Sequence, residues 1–246
     1  MTKRLRVVSY NIHKGVRGIG PARRLEIHNL GQAMAHFDAD LVCLQEVRKV
    51  HRREEKYFLH WPKLPQAEFL APPGYAAVYR SNAFTRHGEH GNALLSRWPV
   101  LGHQHEDMSD HRFEQRGLLH TEVAVYGQSV HVLVVHLGLI RSSRARQLDQ
   151  LCRYLTREIA PTAPVVVAGD FNEWGPMVAR VMQQAGLEAM QKNACATFPS
   201  RLPLFQLDHI YARGMRPVSL TVLRGGQWAQ MSDHLPLIAE FELPPP

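Results

Sequence analysis

Apolar residues along the chain fall into short runs, and most runs stop on a polar side chain. The runs at 5–10 (LRVVSY), 41–45 (LVCLQ), 75–79, 92–97 (NALLSR), 118–125 (LLHTEVAV), 130–135 (VHVLVV), 164–168, 208–213 and 235–242 predict β-strands. Two stretches change period. Ile27, Leu30, Met34 and Phe37 step by 3, 4 and 3. Leu148, Leu151, Cys152, Leu155 and Ile159 keep that spacing behind Ser142 and Ser143, which are placed to cap a helix. The runs at 118–125 and 130–135, joined by Tyr126-Gly127-Gln128, predict an antiparallel hairpin, whereas helices separate other strands as in a βαβ unit.

So many strands with so few helices exceed what one open twisted sheet holds. The expectation is an α/β fold of two packed mixed β-sheets with helices outside. The charge-rich stretch 48–56 and the Pro-rich stretch 62–73 read as solvated connections, and no linker divides the chain, so 1–246 is expected to be a single domain.

The composition, 45% hydrophobic and 21% charged over 246 residues, is that of a soluble globular protein with ample core. A formal charge of +7 suits an anionic partner, whether nucleic acid, phospholipid head group or phosphorylated small molecule, and does not choose among them. Cys43, Cys152 and Cys195 are far apart and form no CxxC, so free thiols are expected rather than a disulfide frame. The N-terminus lacks a signal-peptide core, and no apolar stretch approaches the ~20 residues of a membrane span. A cytoplasmic location is the expectation.

The candidate chemistry stands where the apolar runs stop. LRVVSY ends in Asn11, LVCLQ in Glu46, VHVLVV in His136, and PVVVAG in Asp170 and Asn172; Asp208 and the pair Asp233-His234 open later strands. In an extended strand Asp170 and Asn172 face one way and Phe171 the other. In a mixed sheet, ends of strands running up and starts of strands running down share one edge, so all these residues are candidates for one rim. Singly, each has a plain alternative, since Asp and Asn also end strands as turn residues.

The motifs SYN(11), LQE(46), VVHLGL(135–140), GDFN(169–172), LDHIY(207–211) and SDH(232–234), in this order, resemble the endonuclease/exonuclease/phosphatase superfamily, which includes DNase I-like nucleases and neutral sphingomyelinases. The resemblance implies a four-layered α/β sandwich and Mg²⁺-dependent (or Mn²⁺-dependent) hydrolysis of a phosphodiester. It implies Glu46 as first metal ligand with Asn11 and Asp233 beside it, and Asp170 and Asn172 holding the attacking water against the phosphate. It pairs His234 with Asp208, and gives His136 to the phosphate or the leaving group, with Glu89 as a weak candidate for its acidic support. Arg116, Asn92 and His13 are candidate phosphate or substrate contacts; Arg116 reads equally as a solvated strand-edge residue, Asn92 as structural or as rim-forming, and His13 with Lys14 as a basic surface turn. The substrate class is nucleic acid or a phospholipid head group, acted on by a monomer. The alternatives are a phosphomonoesterase on inositol-phosphate-like substrates and a catalytically quiet binding member of the fold.

Overall fold

The computed structural model describes residues 3–189 and 195–244. The chain begins with β1 (Arg4–Asn11), a short ribbon of β2 (Val16–Arg17) and β3 (Arg24–Leu25), α1 (Ile27–His36) and β4 (Leu41–Val47). Two short helices, α2 (Arg52–Tyr57) and α3 (Gln66–Leu70), lead to β5 (Ala76–Thr85), β6 (Gly88–Ser96) and β7 (Val100–Asp107). Next come β8 (Gly117–Val125), β9 (Gln128–His136), α4 (Arg141–Glu158), β10 (Val165–Asp170) and α5 (Met177–Gln184). The last elements are β11 (Glu188–Ala189), β12 (Asp208–Arg213), β13 (Arg216–Val222), α6 (Trp228–Met231) and β14 (Leu237–Glu242).

Two mixed sheets form, in the orders β13-β14-β1-β4-β6-β5 and β11-β12-β10-β9-β8-β7. Val7, Cys43 and Leu94 from the first meet Val132, Val134 and Ala168 from the second, so the inner faces bury each other. On the outer face of the first sheet, Val8, Tyr10 and Val42 pack under Ile27, Leu30 and Met34 of α1. On the other outer face, Leu133, Val135 and Val165 pack under Leu148, Leu151 and Leu155 of α4 and Met182 of α5. Central strands are therefore covered on both faces, which is why they read as unbroken apolar runs. The layers are helix, sheet, sheet, helix, the four-layered sandwich expected from the sequence.

Several expectations need correction. The helix α4 begins at Arg141, so Ser142 and Ser143 lie inside its first turn and cap nothing; its N-cap is Ile140, without a side-chain cap. Ser143 instead donates its hydroxyl to Asp110 (2.6 Å). The stretches 48–56 and 62–73 are not only solvated connections. Within them Glu54, Gln66, Ala67 and Leu70 are buried, and the Gln66 side chain ties the Arg48 N–H (2.8 Å) to the Lys14 carbonyl (2.8 Å). Strands β7 and β13 are edge strands exposed along most of their length and absent from the sequence expectation; β7 has no apolar alternation, whereas Val218, Leu220 and Val222 alternate along β13. Among the described residues the cysteines form no disulfide, and Cys43 is buried.

Topology decides where the polar strand ends meet. β1 and β4 are parallel, as are β9 and β10, and a helix crosses over within each pair. Their C-terminal ends share one end of the sandwich. β14 runs antiparallel to β1, and β12 to β10, so those two strands begin at that same end. Register sharpens this further: Asp170 lies opposite His136 on one side and Asp208 on the other. Near this end the two sheets are also clamped together. The amide of Asn92, fully buried on β6, donates to the carbonyls of Gly117 (2.9 Å) and Val134 (3.0 Å) on the facing sheet.

Candidate active site

Parity explains most of the aim. Asn11 has the phase of Leu5 and Val7, His136 that of Val132 and Val134, Asp170 that of Val166 and Ala168, and Asp208 that of Ile210. All those apolar residues face the space between the sheets, so the polar four stand at the mouth of that space. Glu46 breaks the rule. By alternation it would follow Val42 and Leu44 to the helix side. A register shift between Leu44 and Val47, with Glu46 in the left-handed region (φ 58°), turns it to the rim while Val47 returns to the helix-side core. Gly169 is what lets β10 lie against β9 here. At its φ of +154°, a Cβ would come 1.9 Å from the carbonyl oxygen of Val135.

Asp170 is the hub. Its Oδ2 accepts from the Asn11 amide (3.1 Å) and lies 3.6 Å from Nε2 of both His136 and His234. Its Oδ1 accepts the Asn172 N–H (2.9 Å). Nδ1 of His234 is in turn 2.8 Å from Asp208, whose backbone N–H donates to Thr197. Phe171 is buried on the opposite face, with its ring edge against Tyr211, and fixes the strand end.

Electrostatics divide the two histidines. Burial would neutralise His234, but Asp208 and Asp170 override it and raise it from 6.5 to about 10, so it is an imidazolium at neutral pH. Burial and then the Arg116 guanidinium push His136 well below its ordinary value, leaving a neutral ring. Burial lifts Asp170 to about 7 against the pull of His234, with Asp208 adding to the rise. A carboxyl poised near neutrality between one neutral and one charged imidazole has the separated proton affinities of acid–base machinery.

The second half of the site is carboxylate and cation. Lys14 Nζ is 2.8 Å from Glu46, and His13 Nδ1 is 3.3 Å from Asp233 and 3.9 Å from Glu46. Burial would raise Glu46, but the Lys14 ammonium, by its charge and its hydrogen bond, holds it well below the carboxylate range; a hydrogen bond from His13 holds Asp233 down against burial. The 13–15 turn that delivers these two side chains is left-handed throughout (φ 45°, 62° and 68°), which Gly15 adopts freely and His13 and Lys14 do not. Asn11 fastens it, its side-chain oxygen accepting the His13 N–H (3.0 Å).

Oxygen donors that already gather positive charge fit a hard divalent cation such as Mg²⁺. Asp170, Asp208 and His234 also bring ligand atoms within 4.8 Å of one another. Their closeness is accounted for by the Asp208–His234 hydrogen bond, so Glu46 with Asp233 is the better cation position.

The other candidates fall as follows. Asn172 is left-handed (φ 50°) and donates from its side chain to the Leu137 carbonyl (2.8 Å). Arg116 donates to the Leu137 carbonyl (3.1 Å) and pairs with Glu114 (3.2 Å), beside His136 rather than reaching freely outward. Asn92 lies below the rim with its amide hydrogens committed to the sheet clamp. Glu89 accepts from Ser81, and among the described residues the carboxylate that His136 meets is Asp170. Residues not singled out from sequence also belong here. Ser232 donates to the Asn11 carbonyl (2.7 Å) and accepts from the His234 N–H (3.3 Å). His90, lowered to about 4 by burial and then Lys14, lies near the Glu46 side. Ser232 opens the SDH motif, yet a serine there carries no sequence signal for the hydrogen bonds it makes.

Two packed mixed sheets flanked by helices are a DNase I-like fold. The chain belongs to the Endonuclease/Exonuclease/phosphatase family, whose profile matches residues 8–234. It is 37% identical over 246 residues to the uncharacterized protein YbhP of Escherichia coli strain K12, covering 97% of this chain and 96% of that one. Among solved structures it resembles a functionally unknown conserved protein from Enterococcus faecalis V583, with TM-score 0.77 and 21% identity over 96% of this chain and 99% of that one. It also resembles D. rerio TDP2 complexed with single-strand DNA product, with TM-score 0.70 and 18% identity over 97% and 98% of the two chains.

Proposed function

We propose that the protein is a divalent-cation-dependent phosphodiesterase, with residues 1–246 acting as one catalytic domain and as a monomer. The observation that carries this reading is the Asp170 carboxylate between two imidazoles, each 3.6 Å away, one neutral and one cationic. Glu46 and Asp233 would hold Mg²⁺ or Mn²⁺, with Asn11 beside them. When bound, the ion supplies charge neutralisation at the phosphoryl and leaving oxygens.

The chain's own groups supply the rest. Asp170, near neutrality, takes the proton of the attacking water. His234, kept protonated by Asp208, faces the negative charge that grows on the phosphoryl oxygens. His136 presents a neutral ring to the phosphate or leaving oxygen, and Asn172, which gives one amide hydrogen to the Leu137 carbonyl, would donate its other to the same group. Nucleic acid and phospholipid-type diesters are both within this chemistry; the solved TDP2 complex holds single-strand DNA product.

The test is hydrolysis of bis(p-nitrophenyl) phosphate by the purified chain before EDTA, after EDTA, and after return of Mg²⁺ or Mn²⁺. Activity should vanish with EDTA and return with the ion, and Asp170→Ala should lower it by about 10²–10⁴-fold. Turnover indifferent to EDTA, or an undiminished Asp170→Ala variant, would refute the mechanism.

A further inference from the structure

The connections that leave the active-site end carry a pattern the catalytic chemistry does not use. Leu139 and Ile140 directly follow the His136 strand and stand 63% and 51% exposed. Phe113 is 82% exposed and Trp174 55%, and Leu204 and Phe205, just before Asp208, are exposed as well. Contacts join them into one surface. The rings of Trp174 and Phe205 are 4.4 Å apart. The Leu139 N–H donates to Glu114 (2.9 Å), the neighbour of Phe113. Arg144 holds the Leu139 carbonyl (2.5 Å) and lies 3.8 Å from Glu173, the neighbour of Trp174. The turns at the far end of the sandwich expose Leu101 and Tyr126 instead, well away from this collar.

The collar is held rigid. The Leu137 carbonyl accepts from Arg116 and Asn172, Gly138 is bonded through both its N–H and its carbonyl by Gln147 and Arg144, and Leu139 is bonded by Glu114 and Arg144. Arg144 and Gln147 are themselves buried. Such bonding fixes two aliphatic side chains outward in water, and contiguous exposed apolar surface of this kind marks an interaction site.

Charge accompanies it. Arg112 adjoins Phe113, Arg141 adjoins Ile140, and Arg201 adjoins Leu202; all three are exposed, and among the described residues none has a carboxylate within ion-pair distance. On the flanks of the sandwich Arg6, Arg97 and Arg157 are paired with Glu240, Asp38 and Glu106.

We propose that this collar docks on the surface of an anionic phospholipid bilayer, and that the phosphoester it brings to Asp170 is that of a lipid head group. The docking stands on the collar itself; the choice of substrate rests on the phosphodiesterase reading above. Apolar side chains flanked by arginines match the interface, where the former enter the acyl boundary and the latter meet lipid phosphates. Single-stranded nucleic acid fits less well. Leu139, Ile140 and Leu204 offer no π-face to a base, and Trp174 and Phe205 lean on each other at 59° instead of presenting open platforms. Among the described residues no helix is long and apolar enough to cross a membrane.

The test is co-sedimentation of the full chain with phosphatidylcholine vesicles, with and without phosphatidylglycerol, beside binding to a single-stranded oligothymidylate. The wild type should pellet with the anionic vesicles and much less with the neutral ones. The double variant Leu139→Ser/Ile140→Ser should lose about tenfold or more in vesicle affinity, and Arg112→Glu/Arg141→Glu should lose the preference for phosphatidylglycerol. Melting curves confirm that each variant is folded, and turnover of bis(p-nitrophenyl) phosphate is measured in parallel. Absence of vesicle binding by the wild type, vesicle binding unaltered in the serine variant, or oligothymidylate binding that the collar substitutions abolish would overturn the docking. No turnover of the soluble diester alongside intact vesicle binding would instead strike the catalytic reading and leave the docking standing.

Discussion

Replacing Asp208 by Asn tests whether His234 works as a cation. Asp208 lies 2.8 Å from Nδ1 of His234, and both residues are buried. Burial favours the neutral ring, yet Asp208 and then Asp170 carry the imidazole from 6.5 to about 10. A tenfold change in proton affinity is about 1.4 kcal/mol, so this rise corresponds to roughly 5 kcal/mol in favour of the imidazolium. Asp208 is the foremost of the opposing charges. Its loss should therefore lower the proton affinity of His234 substantially. The basic limb of the pH–kcat profile should move down by about one pH unit or more, with activity at pH 9 falling far more than activity at pH 7. Stability moves with it. Because the folded-state affinity is raised, the pair's contribution is complete below 6.5 and disappears as the pH climbs through 10. Imidazole ¹³C shifts of His234 read the same quantity without turnover. If the ring of Asp208→Asn titrates where the wild type's does, Asp208 does not set the charge and the assignment of roles fails.

Three further outcomes are expected. Gly169→Ala places a Cβ 1.9 Å from the Val135 carbonyl at a φ of +154°, so β9 and β10 must part; a loss of about 3 kcal/mol or more in urea unfolding is expected, and an unchanged midpoint would show that the strands yield freely. Asn92→Ala leaves the Gly117 and Val134 carbonyls without the clamp and should cost about 2–4 kcal/mol, lowering the melting temperature by about 4–12 °C; differential scanning calorimetry decides. His120, buried against Tyr154 and His131, is lowered to about 4 by burial and then His131. Protons then bind the unfolded chain preferentially, so stability should be full above 6.5 and fall by about 2 kcal/mol as the pH drops toward 4, and His120→Gln should flatten that acid limb in urea titrations.

Much of this site could be read from the chain alone because period-two alternation carries information across a buried strand. Asn11, His136, Asp170 and Asp208 share the phase of inward-facing Val and Ala residues, and parallel crossovers bring their ends together. Glu46 was named from its motif, but its aim depends on a bulge, and LVCLQEV does not announce where a strand slips register. Lys14 is bound to Glu46 through a three-residue left-handed turn, a conformation that NIHKG hints at only through its glycine. The strands β7 and β13 lie at sheet edges: β7 shows no apolar alternation, and in β13 the alternating Leu220 and Val222 are only partly covered by the core. Asn92 reads from sequence as either structural or rim-forming, because an amide after a histidine-rich hairpin looks the same whether it faces substrate or the opposite sheet; its amide hydrogens go to the opposite sheet.

The left-handed residues have a consequence for engineering this chain. Among the described residues the non-glycine positions at positive φ are His13, Lys14, Asp38, Glu46, Tyr126 and Asn172, and four of these six lie at the rim. Such a backbone conformation costs of order 1–3 kcal/mol at each position and is relieved by glycine. A search for thermostable variants, scored on melting temperature alone, would be drawn to glycine at Lys14, Glu46 and Asn172. It would gather its gains from the residues that aim the carboxylate, the cation and the amide, so selection for heat resistance in this fold has to carry a second screen for turnover.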